Sequence, residues 1–193
     1  MEPKLFMVLL GSKATGRNVE QHDFFFGIGH TLHELVPQMK AFWPEAADSL
    51  HIDGWREVTS VEGYQVSVLP KENQLHDNRH LFFINLGGYQ SGKLEETHYT
   101  LLTVQSDRKS AIKTSTQTEF FKTNAIEKIK SASAHIDEKY GIDVDDIYRI
   151  EELLSETDKQ HYHIHLSPGP YAVSDEIHLG YFKIPAGENS PDR

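Results

Sequence analysis

Residues 5–22 read LFMVLLGSKATGRNVEQH and residues 81–98 read LFFINLGGYQSGKLEETH, in step at an offset of 76 with no gap. Leu5/Leu81, Phe6/Phe82, Leu10/Leu86, Gly11/Gly87, Gly16/Gly92, Glu20/Glu96 and His22/His98 are identical, seven matches in eighteen positions. Ordinary residue usage gives roughly one. Val8/Ile84 and Arg17/Lys93 are conservative replacements. Self-similarity at a fixed spacing marks a supersecondary unit used twice. A second block follows at an offset of 84: His51-Ile52-Asp53 against His135-Ile136-Asp137, with Tyr64/Tyr148 and Val66/Ile150 behind it. The second half then holds eight extra residues between its blocks, and the polar stretch Gln105–Lys113 is where they fit.

The apolar runs Leu5–Leu10 and Leu81–Leu86, each stopped by a glycine, are buried strands by length and composition. Each passes through a two-glycine loop into a second strand, Asp23–Ile28 or Tyr99–Val104. Thr31-x-x-Glu34 is a capping box for a helix with Leu32, Leu35, Val36, Met39 and Phe42 on one face. Pro37 inside that face kinks or restarts it. Thr116-x-x-Glu119 caps a second helix carrying Phe120, Ile126, Ile129, Ile136 and Tyr140, and Gly141 stops it. Extended chain returns at Trp55–Val61, Tyr64–Leu69 and Ile142–Ile150. His161–Leu166 and Ile177–Ile184, joined by a turn at Ser167-Pro168-Gly169-Pro170, are expected as a terminal hairpin added to a sheet edge.

The predicted class is α+β: two β-β-α-β units with pseudo-twofold symmetry, mixed sheets and a C-terminal β-hairpin. The chain forms one globular domain over residues 1–193, with repeat 1 at 5–69, repeat 2 at 81–154, C-terminal strands at 155–184 and a tail at 185–193.

Composition narrows the partners. There are 19 basic and 29 acidic residues, a formal net charge of −10, and no basic run. That surface repels phosphate backbones and anionic lipid, so neither nucleic acid nor a membrane is an expected partner. Cysteine is absent, which removes disulfides, thiolate metal sites and thiol nucleophiles together. Six apolar residues at Leu5–Leu10 are too few for a signal core or a membrane span, so the expected location is cytoplasmic. A homodimer is compatible with all of this.

Four stretches carry a resemblance: Glu20-Gln21-His22-Asp23, the following Phe24-Phe25-Phe26-Gly27-Ile28-Gly29, Phe42-Trp43-Pro44, and residues 135–146 (HIDEKYGIDVDD). Over about residues 5–150 the chain resembles the bacterial family called domain of unknown function 1543. The resemblance implies a bacterial cytosolic protein that shows the unit twice, and it implies no activity or cofactor.

The shared polar residues are the candidate site. Arg17, Glu20 and His22, and likewise Lys93, Glu96 and His98, follow a glycine loop between two buried strands. Glu and His one residue apart share a side of extended chain, and a cation three residues earlier can reach back to the glutamate. Three readings fit. The glycines permit a tight loop whose glutamate pairs with the cation and loop amides. The two loops meet and bind a small polar or anionic ligand. Or Glu and His serve a metal-assisted or acid–base enzyme built from both repeats. Gly11-x4-Gly16-Arg17 is no phosphate loop, because the Lys-Ser/Thr is missing. Histidine is frequent, at 12, and strand alternation puts His161, His163 and His165 on one face, expected to be solvated. Asp143, Asp145 and Asp146 lack the glycine and glutamate of a calcium loop. No metal-ligand set is assigned; the expected role is small polar-ligand binding or a structural or oligomeric one, with the metal-assisted or acid–base enzyme as the alternative.

Overall fold

Lys4–Ser12 forms β1 because its apolar residues leave no polar face: Leu5, Phe6, Val8 and Leu10 are all within 1% of full burial. A strand buried on both faces is a central strand. The computed structural model describes residues 2–73, 78–89, 94–118, 142–169 and 174–184. In it β1 lies between β2 (Gln21–Gly29) and β3 (His51–Glu57), antiparallel to both. β4 (Ser60–Val61) and β5 (Tyr64–Pro70) follow, then β6 (His80–Tyr89), β7 (Glu96–Gln105), β8 (Ile142–Arg149), β9 (Tyr162–Pro168) and β10 (His178–Lys183). The sheets are ordered β10-β3-β1-β2, β4-β5-β9 and β7-β6-β8. Every pairing among the described residues is antiparallel, so the fold is α+β without the mixed sheets expected.

Among the described residues the helices are few and short. Thr31 Oγ1 accepts from Glu34 N, opening a 3-10 turn at Leu32–Leu35, and Pro37 marks the restart as α1 (Val36–Phe42). Leu35 and Met39 seal the outer face of β1 through Phe6, Val8 and Leu10. The polar stretch expected to hold the extra residues is helical: α2 (Arg108–Ser115), N-capped by Asp107. Thr116 is its C-cap, and Glu119 and the helix expected after it lie outside the described residues. Among the described residues α3 (Ile150–Leu153) and α4 (Glu156–His161) follow. Among the described residues no helix is long and apolar enough to cross a membrane.

The first and third sheets pack through Leu5, Met7, Phe26 and Ile28 on one side and Leu81, Phe83, Leu102 and Val104 on the other. Phe83 is the hinge pin of that core, with ring centroids 5.4 Å from Phe24 and 5.2 Å from Phe26.

The terminal hairpin does not form. β9 pairs with β5, and β10 pairs with β3. Two free edges, one on each sheet, each take one strand. Asp175 fixes the divergence: its Oδ1 accepts from Thr59 N at 3.0 Å and Thr59 Oγ1 at 2.5 Å, tying the approach to β10 beside β3.

Strand registers are alike in the two halves. Gly11 sits between His22 and His51, and Gly87 between His98 and Asp143. Each third strand carries a bulge at the same place, between Leu9 and Leu10 and between Asn85 and Leu86. By these registers His51-Ile52-Asp53 corresponds to Asp143-Val144-Asp145, an offset of 92. His135-Ile136-Asp137, matched at 84, lies outside the described residues. Tyr64 and Tyr148, also matched at 84, occupy unlike strands: Tyr64 pairs with Pro168 and Tyr148 with Phe83.

Candidate functional site

The row at Gly11 has His22 on one side and His51 on the other. Cross-strand neighbours in one row project to one face. Two imidazoles therefore flank a residue with no side chain. A Cβ at Gly11 would collide with His51 Nε2 and Asp53 Oδ2, so glycine here makes room for polar groups rather than for a turn. Asp53 arrives through the bulge: Leu9 opposes Gly54 and Leu10 opposes Ile52, leaving Asp53 as the extra residue. Bulges re-aim side chains in this way.

Four side chains converge. His22 Nε2 lies 3.0 Å from Asp53 Oδ2 and 3.8 Å from Glu20 Oε2. His51 Nε2 lies 3.1 Å from Glu20 Oε1 and 3.3 Å from Asp53 Oδ1. The His51 side chain is 4% exposed, whereas Glu20 and His22 are open to solvent at 45% and 44%. The site thus has a buried floor and a wet rim. Despite these distances, His51 Nε2 and Asp53 Oδ2 are buried atoms without an aligned hydrogen-bond partner. Proximity without alignment separates this cluster from an ordinary buried ion pair. Among the described residues no group of three or more His, Asp or Glu could hold a metal ion.

His51 is held from behind. Its Nδ1 is 2.9 Å from the carbonyl oxygen of Ser49. A carbonyl only accepts, so Nδ1 carries the proton and Nε2 turns to the carboxylates. The Tyr181 ring lies across the imidazole at 4.3 Å between centroids.

Of the expected residues, Glu20 and His22 are in this cluster. Arg17 is exposed on its turn and forms no ion pair there; the imidazoles take the place assigned to it beside Glu20. In the second half His98 Nε2 lies 3.8 Å from Glu96 Oε2, and both are solvent-facing at 48% and 38%. Lys93 lies outside the described residues. Asp23, opposite Leu10, feels the charge of Asp146, opposite Asn85, so the glycine ends of β1 and β6 lie at the same end of the packed sheets. Yet Glu20 and His22 make their contacts within their own half. His51 and Asp53 were not expected as site residues. Their signal was present as the repeated His-Ile-Asp block, read as architecture.

The histidine face on the last strands is not formed as expected. His161 ends α4, with Nδ1 2.8 Å from Thr157 O, and only His163 and His165 lie on β9. His163 is buried at 5% exposure, not solvated, and burial pulls its imidazole below the usual histidine value.

No curated protein matches the chain. Its fold is similar to the crystal structure of a protein Il1583 from Idiomarina loihiensis, with a TM-score of 0.64 at 21% identity, covering 96% of this chain and 100% of that one. At that identity the likeness concerns the fold alone. Residues 17–68 match the family model described as Domain of Unknown Function (DUF1543). Glu20, His22, His51 and Asp53 all fall within the matched residues, and the matching family is the one that the sequence motifs resemble.

Proposed function

We propose that the chain is a small-ligand-binding protein whose site is the Glu20–His22–His51–Asp53 cluster. The observation that carries this is a pair of buried polar atoms, His51 Nε2 and Asp53 Oδ2, that face each other over Gly11 without hydrogen bonds. Buried polar groups are costly to leave unmatched, so such a pair has a use for an outside partner. Two carboxylates, and no Arg17 beside them, favour a polar or cationic ligand over an anionic one.

The like registers and like bulges of the two sheets support an internal duplication with pseudo-twofold symmetry. On this reading the duplicated scaffold carries one elaborated site. His51 in the first half is matched in register by Asp143 in the second.

A second reading, acid–base catalysis, rests on His22: a solvent-facing imidazole oriented by a carboxylate 3.0 Å away is arranged as a general base. Catalysis would require turnover of the bound compound.

The test is a thermal-shift panel of small amines, carboxylates, sugars and divalent cations on three chains. The wild type and Glu96→Gln should shift with the same compounds, and Glu20→Gln should lose the shifts. No shift with any compound, or equal shifts in Glu20→Gln, would overturn the reading.

A further inference from the structure

We propose that the free edge of β10 pairs with β10 of a second copy of this chain, antiparallel about a twofold axis, and so makes a homodimer. The interface is separate from the ligand site and does not depend on it.

The edge is the first observation. β10 ends its sheet in the order β10-β3-β1-β2, so among the described residues one side of its backbone has no strand beside it. Unpaired N–H and C=O groups along an edge are a template for another strand. None of the six residues of β10 is buried. The opposite end of the sheet differs, because β2 buries Phe25, Phe26 and Ile28.

The side chains are the second observation. Ile177, Leu179, Tyr181 and Phe182 are all exposed, Leu179 to 76%. Single exposed apolar residues are ordinary, but four within six positions make a patch, and patches mark interaction surfaces. Charge is a common guard on an exposed edge, and the one Lys, Arg, Asp or Glu on β10 is Lys183, at its end.

The order of the residues names the partner. Residues 176–183 read Glu-Ile-His-Leu-Gly-Tyr-Phe-Lys. Laid antiparallel on itself about a point between Leu179 and Gly180, the segment sets Glu176 against Lys183, Ile177 against Phe182, His178 against Tyr181 and Leu179 against Gly180. Acid meets base at both ends, and apolar and aromatic residues meet between them, the kinds of cross-strand pair that stabilise antiparallel strands. Gly180 has no side chain and leaves room at the axis for Leu179 of the second copy. A self-complementary patch is what a twofold interface requires.

Net charge agrees. A chain carrying −10 repels its own copies over most of its surface, whereas this segment holds one acid and one base and is neutral. Glu176 and Lys183 are both exposed. One strand pair is a small interface, so the dimer is concentration-dependent rather than obligate.

The experiment is sedimentation of the full chain over a dilution series from micromolar to millimolar. Wild type should pass from monomer to dimer and stop there, since twofold pairing uses both edges. Leu179→Lys, at an exposed position, should stay monomeric, while Val19→Lys and Leu94→Lys, exposed elsewhere, should dimerise as wild type. Lys183→Glu sets two acids together at each end and should weaken the dimer roughly 2- to 30-fold. Glu176→Lys/Lys183→Glu should restore it. Circular dichroism checks that each variant folds, and the charge swap decides the matter even if Leu179→Lys does not. A wild type that stays monomeric, a dimer that survives Leu179→Lys, or a double variant no tighter than Lys183→Glu overturns the pairing. Species larger than a dimer overturn it as well, because they show head-to-tail association.

Discussion

His51 Nδ1 lies 2.9 Å from the carbonyl oxygen of Ser49, and that single bond decides which ring nitrogen faces Glu20 and Asp53. Ser49 is itself anchored. Its hydroxyl donates to Ala46 O at 2.7 Å, which leaves its oxygen to accept from Ser12 Oγ at 2.6 Å. Ser12 is fully buried. The end of β1 therefore positions the site twice, through Gly11 in front and Ser12 behind.

Ser12→Ala should remove one buried hydrogen bond and lower unfolding free energy by about 1 kcal/mol. It should also loosen Ser49 and shift the ring resonances of His51. Urea unfolding and histidine ring NMR measure the two effects. A change in stability with no change at His51 would show that Ser49 does not position the ring.

Gly11→Ala should spare the fold and spoil the site. No unusual backbone angle is needed at Gly11, and the added methyl meets the ends of two side chains rather than backbone. Overpacking of this kind costs about 1–3 kcal/mol. The expected result is native circular dichroism with loss of the Glu20-dependent ligand shift. Wild-type binding by Gly11→Ala would show that Asp53 and His51 do not work at this row.

His163 gives the fold a pH dependence. Burial disfavours its charged form, so its folded value lies below the unfolded value of 6.5. Its contribution is complete above 6.5 and is lost as pH falls from there through the depressed folded value, since the unfolded chain takes up the proton first. Unfolding free energy should fall between neutral pH and about pH 5, and His163→Gln should flatten that slope. Equal slopes in the two chains would assign the acid sensitivity elsewhere.

Asp175→Ala should release β10. The Asp175 side chain is 2% exposed, holds Thr59, and lies 3.9 Å from Arg56, whose guanidinium burial pushes down and Asp175 pushes back up. Losing it removes two hydrogen bonds from Thr59, an exposed residue, at about 1 kcal/mol. Hydrogen exchange should quicken in β10 and at the β3 edge, and stay slow in β6 and β7. Uniform quickening would mean that β10 is integral to the core.

Phe83→Ala tests whether the halves fold together. Phe83 rings contact Phe24 and Phe26 across the sheets, and removing a buried phenylalanine costs about 3–5 kcal/mol. One cooperative transition at lower denaturant is expected. Two separated transitions would indicate independent halves.

The sequence by itself determined the strands and their repetition. Leu5–Leu10 and Leu81–Leu86 are legible because burial on both faces forces an unbroken apolar run, and Gly11 and Gly87 because they recur at the same place in it. Glu20 and His22 were legible as recurring residues. Tertiary structure alone decided what they touch. Arg17 is near in sequence and makes no ion pair with Glu20, while His51 and Asp53 are distant in sequence and meet Glu20 and His22. The cause is the antiparallel pairing of β3 with β1 and the bulge that turns Asp53 onto the row, since neither leaves a mark in local periodicity. The same limit explains β9 and β10. A strand pattern shows that a segment will pair, but which free edge it takes depends on contacts such as Asp175 with Thr59, 116 residues apart.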